Sequence, residues 1–127
     1  WSLYIAFLGM CVSFVLYALQ PWLGYNHSIA VHGLSISGIG MMTVAMMARV
    51  SLGHTGRSIH QPPKIVNAMF ALMAVAFVSR VFLPLIDMSH YLLWIMLAQS
   101  AWIACFALFC ISYLPILARP RPDGLFG

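Results

Sequence analysis

Long apolar runs separated by short polar segments divide the chain into four stretches. They cover residues 2–19, 28–50, 64–83 and 91–117. Each run is long enough to cross the roughly 30 Å of a bilayer's hydrocarbon core as a helix rising about 1.5 Å per residue. Helices are expected because lipid offers backbone groups no hydrogen-bond partners. The pattern predicts an all-α polytopic membrane protein, a bundle of four transmembrane helices, with a mobile tail at residues 118–127.

Proline and glycine mark the predicted ends of these helices. Gln20-Pro21 is expected to stop the first helix, and Gly53 is expected to close the second by taking a positive φ. Pro62-Pro63 precedes the third run and Pro84 follows it. Since proline has no amide hydrogen, we expect the third helix to kink or stop at Pro84.

Composition agrees with a lipid environment. Of the 127 residues, 63% are hydrophobic and only 6% are charged, whereas about a quarter of a soluble domain is charged. The three cysteines all lie inside apolar runs, where we expect plain packing roles. The chain begins with Trp1 and has no initiator Met, so we expect a fragment or a processed product.

The distribution of basic residues predicts the orientation. Four spans place both termini and the 51–63 loop on one side, while the loops around 20–27 and 85–90 contain no Lys or Arg. Cytoplasmic loops of membrane proteins are enriched in Lys and Arg, so this side is predicted to be cytoplasmic. Topology thus accounts for the net charge of +4, and no nucleic-acid partner is expected. The basic residues on this side are Arg49, Arg57, Lys64, Arg119 and Arg121.

The second run contains candidate metal ligands. His32 lies about one turn inside it, where a histidine is costly without a partner. Imidazole is an axial ligand for haem iron and a ligand for copper, but hydrogen-bonded packing is the alternative. Met42 and Met46 lie four residues apart and share a helix face. Their thioethers suit Cu(I), and adaptable packing is again the alternative.

Small residues recur on another stripe of the same run. Gly33, Ser37 and Gly40 follow helical spacing, which lets a neighbouring helix approach closely. A groove for a flat cofactor is the other interpretation. Spacing alone does not distinguish close helix packing from a cofactor groove.

A Gly-His-Thr-Gly-Arg segment follows at residues 53–57. One interpretation is a turn whose basic groups meet anionic lipid headgroups. The other is a site for haem propionates, in which Arg57 is a fork-shaped donor and His54 a metal ligand. Arg49 precedes this segment and would face the negative end of the helix.

Arg80 is the one charge inside the third run. We expect it to extend outward to the interface with Asp87 as its counter-ion, and an intramembrane anion or cofactor contact is the alternative. His27 and His90 lie in the loops on that side and could converge with His32 as a metal cluster. With only two acids in the chain, carboxylate-based catalysis is not expected.

The run HGLSISGIGMMTVAMMARVSLGHTGR, residues 32–57, closely resembles the signature of the NnrS family. Those are polytopic bacterial inner-membrane proteins linked to haem, copper and nitric oxide tolerance. The tail Arg119-Pro-Arg-Pro-Asp-Gly also resembles the family's C-terminal ending. Family members have more spans than this chain, so the chain resembles their C-terminal four-helix portion. The matching positions in the signature are His32, Gly38, Gly40, Met46, Met47, Arg49 and Gly53 to Arg57.

The resemblance implies a haem- and copper-binding inner-membrane protein in the response to nitric oxide or nitrosative stress. Its partners would be the lipid bilayer and either the remaining helices of a longer parent protein or further copies of this chain. A membrane cytochrome-like redox subunit and a cofactor-free structural or transport bundle are the alternatives, and catalysis is not expected. The implied cofactor-binding residues are His32, Arg49, His54 and Arg57. The implied metal ligands are His32, His54, Met42 and Met46.

Overall fold

The computed structural model describes residues 1–122 and residue 124, and it is a bundle of four long helices. Within the described residues there is no strand, and all four helices are long and apolar enough to cross a membrane. The predicted all-α, four-span architecture is confirmed. The predicted tail lies partly outside the described residues, at 123 and 125–127. The helices are α1 Ser2–Leu23, α2 His27–His54, α3 Ile65–Ile86 and α4 Tyr91–Ala118.

Helix α1 does not stop at Gln20-Pro21. It continues through Pro21 to Leu23 and ends at Gly24, which has φ 68° and donates its amide to the Gln20 carbonyl at 2.9 Å. Pro21 removes one amide donor in the last turn, and the helix ends two residues after it. The next helix begins after Asn26, whose side chain accepts the Ser28 amide at 2.9 Å as an N-cap.

Helix α2 likewise passes through Gly53. The residue with a positive φ, 66°, is Gly56, and the Arg57 amide donates to the Leu52 carbonyl at 2.9 Å. The prediction that Gly53 closes the helix is therefore wrong. The chain turns three residues later because the left-handed conformation falls on the second glycine of the segment.

Helix α3 does not stop at Pro84 but continues to Ile86. The segment just before it, Val78–Phe82, is π-helical, and the Leu83 amide donates to the Val78 carbonyl five residues back. This wider turn changes the hydrogen-bond register next to the proline, where a regular helix would leave a carbonyl without its donor. A second π-helical segment, Ser35–Met41, interrupts α2.

Small residues allow α1 and α2 to touch. A Cβ added at Gly33 would lie 2.5 Å from Ser13 Oγ, and one added at Gly9 would lie 2.8 Å from Ser37 Cβ. The Ser13 and Ser37 hydroxyls donate to the carbonyls four residues back, at 2.8 and 2.7 Å, so this buried contact leaves neither hydroxyl without an acceptor. The small-residue stripe therefore serves close helix packing at these positions.

The two inner helices hold most of the core. In the most apolar part of each helix, 50% of α2 and of α3 is buried, against 17% of α1 and 22% of α4. Side chains such as Val44, Met69, Met73 and Val81 are completely buried. Cys105 is buried among them, and all three cysteines are free thiols.

The N-terminus and the end of α4 lie at the same end of the bundle. The Trp1 ring packs on Phe70 with centroids 5.3 Å apart, and Arg57 Nη1 donates to the Ile116 carbonyl at 3.2 Å. Arg121 Nη1 donates to the His54 carbonyl at 3.1 Å. We call this the basic end. It carries Arg49, Arg57, Lys64, Arg119 and Arg121.

Candidate functional site

The two predicted histidine ligands lie at opposite ends of α2. His32 and His54 are 22 positions apart in the sequence, which at about 1.5 Å per residue separates them by about 33 Å. One metal or one haem cannot contact both. The two ends of the helix therefore have to be considered as separate sites.

At the basic end, one cavity brings together three of the predicted residues. It has a volume of about 560 Å³ and is lined by Met46, Arg49 and His54, with Leu3, Val50, Gly53 and Ile59 completing the wall. Met46 lies three residues before Arg49 and eight before His54, so its side chain stands between theirs, which are about 140° apart around the helix. A thioether, a guanidinium and an imidazole thus face one largely apolar space. Most of its lining residues are exposed, so the space is an open groove on the surface of the bundle, and we call it the His54 cavity.

Arg49 also borders a second cavity of about 290 Å³. This neighbouring space is lined by Trp1 and Phe70, by His60 from the loop after α2, and by residues of α2 and α3. His60 was not predicted as a site residue, and its position in the basic loop was the only signal that could have indicated it. Arg49 lies between the two cavities and can serve a ligand in either.

Two other predicted residues are engaged elsewhere. Arg57 Nη1 donates to the Ile116 carbonyl at 3.2 Å and to the Thr55 carbonyl at 3.4 Å, so it fastens the turn after α2 to the end of α4. Met42 is partly buried and packs against the core. Neither residue lines the His54 cavity.

At the opposite end, His32 contacts Arg80. His32 Nδ1 lies 2.6 Å from the Ser28 carbonyl, and its Nε2 lies 3.2 Å from Arg80 Nη2. A carbonyl can only accept, so the proton belongs on Nδ1, and Nε2 accepts from the guanidinium. The nitrogen that a metal would need is therefore occupied by a hydrogen bond from a cation.

Arg80 does not extend outward to the interface, so that prediction is wrong. Its side chain is only 9% exposed, and Nη1 donates to Tyr91 Oη at 3.0 Å. Its Cζ lies 5.5 Å from the centroid of the Tyr91 ring, within the range of a cation–π contact. Arg80 points inward because two hydrogen-bond acceptors lie there.

Asp87 is not the counter-ion of Arg80, contrary to the prediction. Its carboxylate accepts the Ser89 amide at 2.9 Å and lies 2.7 Å from His90 Nδ1. Hydrogen bonds from the Ser89 hydroxyl and from His90 lower the pKa of this exposed carboxyl from 3.8 to about 2. Asp87 therefore organises the loop before α4.

The predicted convergence of His27, His90 and His32 does not occur. His27 packs edge-on against Tyr17, with ring centroids 5.0 Å apart, and His90 is paired with Asp87. Over residues 1–122 and 124, no group of three or more His, Cys, Asp or Glu side chains is placed to hold a metal. That prediction of a metal cluster is wrong.

Comparison with known proteins identifies the family. The family model described as NnrS protein matches residues 1–121. The chain belongs to the NnrS family. No curated protein and no solved structure matches it significantly. The match covers all four helices, including those in which the sequence resembled the family only in hydrophobicity, and membership supports a role related to nitric oxide.

The His54 cavity of this NnrS protein suits haem better than a closed copper site. Haem iron needs as few as one protein ligand, and a histidine is a common one. Arg49 would supply a cation for a propionate, and most of the remaining wall is apolar. For copper, Met46 and His54 offer two soft-to-intermediate donors, and further donors are not among the residues lining this cavity.

Proposed function

We propose that this NnrS protein binds haem in the His54 cavity and acts in the response to nitric oxide or nitrosative stress. The observation that carries the proposal is the meeting of His54, Arg49 and Met46 around one space with apolar walls. In this proposal His54 would hold the haem iron and Arg49 would pair with a propionate. Met46 would lie beside the group, or bind copper together with His54 in place of the haem.

The chain's own residues would perform three tasks. His54 is the last residue of α2, where the end of the helix fixes its position. Arg49 would supply a permanent charge about one turn earlier, and Leu3, Val50 and Ile59 would supply apolar wall. When bound, haem iron would supply a coordination position for a diatomic ligand. In this proposal, such binding would protect metabolism from iron-nitrosyl species without turnover of nitric oxide.

The other implied ligands could take part only after each gives up a contact that it makes in this structure. His32 would serve as a ligand only after Arg80 moves from its Nε2. Arg57 would reach a propionate only after leaving the Ile116 carbonyl. Met42 would need to turn away from the core to join Met46 at copper. The geometry therefore favours His54, Arg49 and Met46.

We also propose a place and orientation for the protein. The basic end would lie in the cytoplasm and the bundle in the bacterial inner membrane, with both termini cytoplasmic. Support comes from the five basic residues that share this end. The low burial of α1 and α4, 17% and 22%, leaves apolar surface for lipid, for further helices of a longer protein or for a second copy of the chain.

The redox-subunit alternative requires two axial histidines at similar depth on facing helices. His32 and His54 instead lie on the same helix at opposite ends. The cofactor-free alternative predicts a colourless protein whose properties do not depend on His54. The experiment that tests haem binding therefore also tests this cofactor-free alternative.

That experiment is an absorption spectrum of the protein purified in detergent with haem supplied, together with metal analysis. We expect a Soret band that His54→Ala abolishes and Arg49→Gln weakens. His27→Ala is the matched control, because His27 is exposed at the opposite end, and it should keep the band. Equal haem content in wild type and His54→Ala, or no haem in either, would contradict the proposal. Copper lost in Met46→Leu alone would assign the second metal.

A further inference from the structure

Arg80 is a buried cation that lacks an acidic partner in the described part of the chain. It is 9% exposed, and the one ion pair among residues 1–122 and 124 joins His90 to Asp87. The only other acid in the sequence, Asp123, lies outside the described residues. A guanidinium stays charged at any physiological pH. A buried charge of this kind is costly unless an anion compensates it.

A cavity of about 460 Å³ adjoins this cation. Its polar wall consists of His32, Ser35, Arg80 and Gln99, and the rest of its lining is apolar, with Trp102 as the largest side chain. The space lies between α2, α3 and α4. Its lining matches a molecule with one polar group and an apolar body.

Neighbouring residues hold the guanidinium in place. His32 Nε2 accepts from Nη2 at 3.2 Å and Tyr91 Oη accepts the Nη1 donor at 3.0 Å. The Ser28 carbonyl fixes the His32 tautomer through Nδ1. A guanidinium has five N–H donors, so these two bonds orient it and leave donors for an oxyanion.

We propose that this cavity binds an anionic oxyacid group, a carboxylate or a phosphate, through Arg80. His32 and Tyr91 are positioning residues that orient the guanidinium. The sequence predicted a metal cation at His32. Arg80 would repel a cation at this place, so we expect an anion there instead. The site lies at the other end of α2 from the His54 cavity and is independent of haem binding.

Quenching of tryptophan fluorescence tests the proposal, because Trp102 lines the cavity. The protein is placed in phosphatidylcholine nanodiscs at pH 8 and titrated with α-brominated dodecanoate, whose heavy atom quenches nearby indoles. The matched probe is the alcohol that carries bromine on the same carbon of the chain, and it lacks the charge. We expect saturable quenching by the carboxylate and an affinity at least about tenfold weaker for the alcohol.

Variants assign the effect to Arg80. Arg80→Gln should weaken carboxylate binding about tenfold or more, because the charge is lost while a hydrogen-bonding side chain remains. Arg80→Lys should retain most of the binding. Arg119→Gln, which removes an arginine at the basic end, is the matched control and should bind as wild type does. Haem binding to the His54 cavity should be the same in all four proteins, which separates this proposal from the previous one.

Competition distinguishes the source of the group. If millimolar sodium acetate or inorganic phosphate displaces the probe, the ligand is a small free anion. If neither displaces it, the oxyacid group belongs to an amphiphile. Equal affinity for the carboxylate and the alcohol, or quenching that rises without saturation, would overturn the proposal. That comparison uses only the wild type, so it decides the question even if Arg80→Gln does not fold.

Discussion

Gly40 is the position where a single methyl group should test the packing most directly. A Cβ added there would lie 2.3 Å from Trp102 Cζ3 and 2.4 Å from Met73 Cε. Carbon atoms in contact normally lie about 3.5–4.0 Å apart. The flexible end of Met73 can move, but the indole is a rigid ring. Gly40→Ala should therefore push α4 away from α2 or turn Trp102 out of its place.

The expected cost combines two terms. Overpacking a well-packed contact costs about 1–3 kcal/mol, and replacing glycine by alanine inside a helix returns up to about 1 kcal/mol. Gly38→Ala is the matched control in the same π-helical segment, because its nearest neighbour outside the helix would be Met10 Sδ at 3.4 Å. The propensity gain is common to both variants. Gly40→Ala should thus be less stable than Gly38→Ala by about 1–3 kcal/mol.

Unfolding in mixed micelles, driven by increasing dodecyl sulfate and followed by circular dichroism, measures this difference. A double-mutant cycle with Trp102→Leu adds a check, because the cost of Gly40→Ala should fall once the rigid ring is gone. Equal stability of the two alanine variants would refute the reasoning. So would a cost that stays the same in the Trp102→Leu background.

Three further predictions use the same unfolding assay. Asn26→Ala should destabilise the protein by about 0.5–2 kcal/mol because the α2 N-cap is lost, and Asn26→Ser should restore most of it. Arg57→Gln should cost about 1.5–3 kcal/mol, the usual worth of a hydrogen bond from a charged group, and should speed proteolysis near Ile116; unchanged stability would show that this contact contributes nothing. The pKa of Asp87 is lowered on folding to about 2 from 3.8, so its stabilising effect is complete above about pH 4 and is lost as the pH falls toward 2. Asp87→Asn should remove that part of the acid sensitivity, and an identical pH profile in the variant would count against it.

The four spans could be predicted because the thickness of the bilayer requires runs of this length. Their ends were less predictable. Pro21 lies inside a helix because it removes only one hydrogen bond near a terminus. The Gly53-to-Gly56 segment offers two glycines, and spacing alone does not say which takes the positive φ. Pro84 is accommodated by a π-helical turn that hydropathy does not register.

Of the two candidate sites, one could be predicted from the sequence and the other could not. Met46, Arg49 and His54 lie within nine residues at the end of one helix, so their proximity follows from the sequence. The contact between His32 and Arg80 joins residues 48 positions apart, and it depends on the order of helices around the bundle. Hydrophobicity carries no information about that order. For the same reason Asp87 looked like a partner for Arg80, although the Ser89 and His90 beside it in the chain bind its carboxylate.

The two π-helical segments have a consequence for how this protein tolerates insertions and deletions. A π turn is equivalent to one extra residue in an α-helix. Deleting one residue from Ser35–Met41 could restore regular winding while the residues on either side keep nearly the same facing, because the wide turn holds the extra residue. A deletion in a regular part of α2 would instead rotate everything on one side of it by about 100°, the angle of one residue in a helix with 3.6 per turn. The two π-helical segments are thus the places in α2 and α3 where the loss of one residue should be tolerated best, although the hydropathy profile does not mark them.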